Sequence, residues 1–151
     1  MSSAPSHSGP GRLSRYLPLL IWLVVISLAS SDEFSASNTS RIIGPLVLWL
    51  FPNTSADTLA TIHFMVRKLA HLSEYAVLGV LAARGFRGST HPTLRRHWFL
   101  AAFLLVAIYS LLDEFHQIFV PSRTASFTDS LIDMTGGLAA LLVLRRRWGS
   151  E

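Results

Sequence analysis

The sequence contains no cysteine. Disulfide frameworks, thiolate metal sites and cysteine nucleophiles are therefore excluded. Charge is scarce as well: Asp, Glu, Lys and Arg make up 15% of the 151 residues, against about 25% in an ordinary soluble domain. A composition this apolar is not that of a disordered chain, a basic nucleic-acid-binding tail or a collagen-like repeat, so no nucleic-acid partner is expected. The familiar catalytic signatures are missing too. There is no P-loop, dinucleotide-binding glycine fingerprint, Gly-x-Ser-x-Gly elbow, His-Glu-x-x-His pair or internal repeat. Without a P-loop, the helicase-like string Asp113-Glu114-Phe115-His116 is a coincidence of letters.

What is plentiful is apolar surface. Half of the residues are hydrophobic and the mean hydropathy is +0.42. The length suits one domain. The expected fold is all-α: an integral membrane four-helix bundle, with the lipid bilayer as its first partner. A spanning helix needs about 20 largely apolar residues, and four stretches approach this, near 13–31, 62–83, 98–120 and 127–144. The run Ile42 to Phe51 is too short to span and holds Gly44 and Pro45. It reads as an interfacial or re-entrant piece between the first two spans. Residues 1–12, rich in Ser, Pro and Gly, read as a disordered tail, 13–147 as the membrane domain and 148–151 as a short cytoplasmic tail. Ser27-Leu28-Ala29 is a poor signal-peptidase match, so the first span is expected to be retained.

Orientation follows from arginine in the short loops. Arg12 and Arg15 precede span one, Arg84, Arg87, Arg95 and Arg96 separate spans two and three, and Arg145, Arg146 and Arg147 follow span four. With four spans all of these fall on one side, which predicts that both termini are cytoplasmic. The opposite loops hold Asp32, Glu33, Arg41 and Asp57. Trp98 and Trp148 sit where a cytoplasmic interface would favour indole rings.

Three spans carry charges where lipid would oppose them. In span two Lys68, His71 and Tyr75 recur at helical steps, with Glu74 three beyond His71. In span three Asp113, His116 and Gln117 share a face by the same spacing, beside Glu114, and in span four Asp129 and Asp133 are four apart. The topology puts all of them in the outer half of the membrane. Each ionisable group at the membrane centre costs about 2.5 kcal/mol or more on insertion scales. The expected arrangement is therefore a polar pocket, open to the outer side, between three facing helices. Gly79, Gly136 and Gly137 are expected to be close-packing contacts.

Several chemistries fit this set. His71 or His116 beside a carboxylate suits proton transfer near neutral pH, with Glu74, Asp113 and Glu114 as acid/base partners. Lys68 and Arg123 would hold an anion, Arg123 presented by the turn after Pro121, and Tyr75, Gln117, Asp129 and Asp133 would line the binding side. A lipid-linked phosphate is the anion expected at that depth. For a divalent metal, His71, His116, Asp113, Glu114 and Asp129 offer imidazole and carboxylate ligands but no metal-site spacing, and no cofactor is expected. Three functions stay open: an enzyme acting on an envelope substrate, a binding or transport module for an anionic headgroup, and an assembly factor whose charges only fix helix packing.

The strings Arg67-Lys68-Leu69-Ala70-His71-Leu72-Ser73-Glu74-Tyr75 and Asp113-Glu114-Phe115-His116-Gln117, then Pro121-Ser122-Arg123, Asp129 and Asp133, resemble the VanZ-like family. These are small membrane proteins named for a factor that raises resistance to teicoplanin, a glycopeptide that binds cell-wall precursors. The resemblance runs from about Trp22 to the last span. It implies a cell-envelope setting and carries the family's features onto Lys68, His71, Glu74, Tyr75, Asp113, Glu114, His116, Gln117, Arg123, Asp129 and Asp133. Ser122 stands where the family often has Gly, and Ala140 where a second Gly often follows Gly136.

Overall fold

The computed structural model describes residues 12–31, 36–121 and 126–149. Among these the chain forms six helices and no strand: α1 (Arg12–Ala29), α2 (Ala36–Leu50), α3 (Ala56–Arg87), α4 (Pro92–Arg96), α5 (Trp98–Gln117) and α6 (Phe127–Gly149). The expected all-α class holds. Two of these helices, α5 and α6, are long and apolar enough to cross a membrane, and the apolar stretches Leu13–Ala29 and Ser40–Leu50 are shorter. The expected tail over residues 1–11 and the turn carrying Ser122 and Arg123 lie outside the described residues.

The helices do not stop where the apolar runs do. α3 starts ahead of Ile62 because Ser55 caps it, its hydroxyl accepting from the Thr58 N–H at 3.2 Å, with Asp57 in the first turn. Its 32 residues span roughly 48 Å at about 1.5 Å per residue, well beyond a hydrocarbon core of about 30 Å. α6 continues past Leu144 through three arginines, good helix formers that also suit the negative end of the helix dipole. α5 ends at Gln117 rather than Val120. The N–H groups of Ile118, Phe119 and Val120 turn to the carbonyls three residues back, at 3.0–3.3 Å, ahead of Pro121. The segment Ile42 to Phe51 falls almost wholly within α2, which packs on α3.

Side-chain contacts fix the helix directions. Lys68 meets Asp129, and His71 meets Asp133. Both sequences advance together, so α3 and α6 run parallel. Glu114 meets Ser126, Ser110 meets Ser130 and Val106 lies against Gly137. Here one sequence advances as the other recedes, so α5 is antiparallel to α6. α1 is antiparallel to α3, with the Trp22 indole N–H donating to the Glu74 carbonyl at 2.9 Å and Tyr16 lying beside Gly85. The Tyr109 hydroxyl ties α5 to α1 by donating to the Leu23 carbonyl at 2.6 Å.

Glycine permits the α3–α6 approach. A Cβ on Gly136 would collide with the Leu72 carbonyl oxygen, and one on Gly79 would stand 3.0 Å from the Gly137 carbonyl oxygen. Small residues at such crossings are what membrane helices use to bring backbones together. The polarity of the fold is inverted relative to a soluble domain. Leu100, Leu104, Ile108, Leu112 and Phe115 of α5 face outward, about half exposed, while His71, Asp113, Glu114, Gln117, Asp129 and Asp133 are buried. With its two apolar helices, the chain is built as a membrane protein.

Candidate functional site

The polar cluster sits where α3, the end of α5 and the start of α6 meet. Lys68 is ion-paired with Asp129, and its ammonium also lies 5.1 Å from the centre of the Phe64 ring. One turn deeper, His71 Nδ1 is 3.1 Å from Asp133 Oδ1. From α5, Gln117 donates to Asp113 at 3.1 Å. Glu114 reaches across to accept the Ser126 N–H at 2.6 Å, just ahead of α6. A carboxylate here satisfies one of the orphan donors of a helix start and faces the positive end of its dipole.

Not every polar atom in the cluster is bonded. The Tyr75 hydroxyl, Asp133 Oδ2 and Glu114 Oε1 are buried without a hydrogen-bond partner among the described residues. Tyr75 stands one helical turn from His71 on α3, and its carbonyl lies against Gly137, one turn along α6 from Asp133. Tyr75 and Asp133 are fully buried. Among the described residues, Asp113, Glu114, Asp129 and Asp133 are buried here beside Lys68 and His71.

A family model described as VanZ/LLP1 matches residues 15–148, which takes in every helix that builds this cluster. The chain belongs to the VanZ/LLP1 family. No curated protein and no solved structure matches it.

The VanZ/LLP1 chain thus brings together most of the side chains expected from its sequence, but it rearranges their partners. His71 pairs with Asp133 of α6, not with Glu74 on its own helix. Glu74 is half-buried, and its backbone carbonyl serves α1. His116 is separated from the cluster: it is exposed, whereas Asp113, Glu114 and Gln117 face inward. Helical geometry explains this. At about 100° per residue, the buried positions 102, 106, 110, 113, 114 and 117 cover an arc of roughly 120°, and position 116 falls about 40° outside it. The two histidines therefore do not form a pair. Arg123 lies outside the described residues. Among the described residues no three His, Asp or Glu side chains converge as metal ligands.

The sequence reading missed Ser126, Trp22 and Tyr109. Ser126 was detectable, because Ser126-Phe127-Thr128-Asp129 is a Ser-x-x-Asp start signal before an apolar run. The Trp22 and Tyr109 bonds to helix carbonyls leave no sequence mark, since any residue supplies a carbonyl.

Proposed function

We propose that this VanZ/LLP1 protein spans the membrane four times with both termini in the cytoplasm, and that its polar cluster in the outer half binds or acts on a lipid-linked, anionic cell-envelope substrate. The observation that carries this is the buried His71–Asp133 pair with a carboxylate oxygen, Asp133 Oδ2, and the Tyr75 hydroxyl both lacking a hydrogen-bond partner among the described residues. A structural ion pair has no use for such spare polar atoms, which cost about 1–3 kcal/mol each when left unmet. A ligand or water that fills them recovers that cost. In this reading His71 and Asp133 move a proton, Tyr75 orients the reacting group, and Lys68 with Arg123 holds the anion. The arginine clusters at one end of the helices support the orientation. The family resemblance is what supports a link to teicoplanin resistance.

A second reading is favoured by a different observation. Lys68–Asp129, His71–Asp133 and Gln117–Asp113 are all bonded within the protein, as an assembly factor with purely structural charges would have them. The deciding experiment measures membrane abundance together with polyprenyl-phosphate binding and teicoplanin susceptibility, for His71→Gln and Tyr75→Phe. Function should be lost at normal abundance. Unchanged function in both variants would sink the first reading, and a parallel fall of abundance and function would favour the second. For the topology, reporters placed after Arg147 and within residues 34–38 should report opposite sides. Reporters on the same side would overturn it.

A further inference from the structure

The opposite end of the helices has its own chemistry. Arg15 lies beside Gly88, and Trp98 packs edge-on against both Phe99 and Trp148, with ring centroids 5.7 and 5.1 Å apart. Two guanidinium groups stack on this aromatic ladder: Arg87 stands 4.4 Å from the Trp148 ring and Arg145 5.3 Å from the Phe99 ring. Next to them an open groove of about 440 Å³ runs along one face of α6, lined by Leu142, Arg145, Arg146 and Gly149.

We infer that this groove is a binding site for the phosphate headgroup of an anionic phospholipid in the cytoplasmic leaflet. Stacking occupies the face of a guanidinium and leaves the N–H groups along its edge to donate. Those edges form forked bonds to phosphate oxygens. Of the groove's two arginines, Arg145 is restrained in advance by the Phe99 ring, so less side-chain entropy is lost when phosphate arrives. Leu142 lies one turn below Arg146 and is exposed, so the groove is apolar toward the membrane core and cationic toward the surface. That gradient matches a lipid entering headgroup first and fits a free phosphate ion less well. The inference rests on the membrane orientation proposed above.

The test uses the full-length protein in nanodiscs of phosphatidylcholine with and without phosphatidylglycerol, with retained lipid read by mass spectrometry after detergent extraction. Wild type should retain phosphatidylglycerol over phosphatidylcholine. Arg145→Gln/Arg146→Gln should lower that preference about tenfold or more, because it removes direct hydrogen bonds between guanidinium and phosphate, each worth roughly 1.5–3 kcal/mol at about 1.4 kcal/mol per tenfold. Arg95→Gln/Arg96→Gln removes the same charge outside the groove and should keep it. Equal losses in both double variants, or no preference in wild type, would overturn the site. Displacement of the lipid by inorganic phosphate alone would assign the groove to the ion and overturn the lipid reading. Arg145→Lys/Arg146→Lys keeps the charge and the fold without the fork and should be intermediate, whereas wild-type retention there would overturn forked recognition. A chain that stays out of the discs overturns the membrane reading and this site with it. A chain that inserts without lipid preference overturns this site alone.

Discussion

Asp129 is 3% exposed, and its buried carboxylate is matched by the ammonium of Lys68. Removing one member of a buried pair strands the other, at about 3–5 kcal/mol, whereas replacing both by apolar groups of similar size is often neutral. Lys68→Met should therefore lower thermal stability in detergent sharply, and Lys68→Met/Asp129→Leu should recover most of it. If the double variant is no more stable than the single one, the cost lies in something other than the orphaned carboxylate. The residue scale was also the most legible in sequence. Ionisable groups are so costly in lipid that Lys68, His71, Asp113, Glu114, Asp129 and Asp133 are expected to turn inward, and all six are buried or partly buried, with Lys68–Asp129 and His71–Asp133 in contact. Their pairing was not legible. Spacing along one helix joins His71 to Glu74, but only the rotation and depth of α6 make Asp133 the nearer carboxylate. His116 shows the same limit, because a three-residue step allows two side chains to share a face without saying where the buried arc ends.

At the scale of elements, α3 and α6 hold the site through backbone proximity. Their Lys68–Asp129 and His71–Asp133 contacts continue downward into Leu72–Gly136 and Tyr75–Gly137. Gly136→Ala would press a methyl group against the Leu72 carbonyl, a backbone atom that cannot rotate away. α6 would have to shift, at a cost of about 1–3 kcal/mol for overpacking, and the polar pairs above would lose register with it. Gly149→Ala meets nothing within 4 Å and should leave stability unchanged. Comparing the melting temperatures of the two variants in the same detergent checks this, and equal values would refute close packing as the role of Gly136. Gly136 and Gly137 were recognisable as packing residues from sequence. The helix ends were not, because caps such as Ser55 and the turn before Pro121 act locally and ignore the apolar run.

For the whole molecule the question is which solvent surrounds α5. The helix turns Leu104, Ile108 and Leu112 outward and Asp113 and Gln117 inward, an order that would be unstable in water and is required in lipid. Ile108 lies near the middle of α5 and is 56% exposed. In water, Ile108→Asp would be a mild surface change, within about 0.5 kcal/mol. In a bilayer it puts a carboxylate near the hydrocarbon midplane, at about 2.5–3.5 kcal/mol on insertion scales. No inward partner relieves it, because the side chain points away from Lys68 and His71. The expected outcome is a severalfold loss of membrane-inserted protein, measured by fractionation and protease protection. Thr93→Asp, exposed on the short helix α4, adds the same charge outside the expected span and should insert normally. Equal insertion of both variants would mean that α5 does not face lipid, and the argument that charge in the cluster is there for function would lose its foundation.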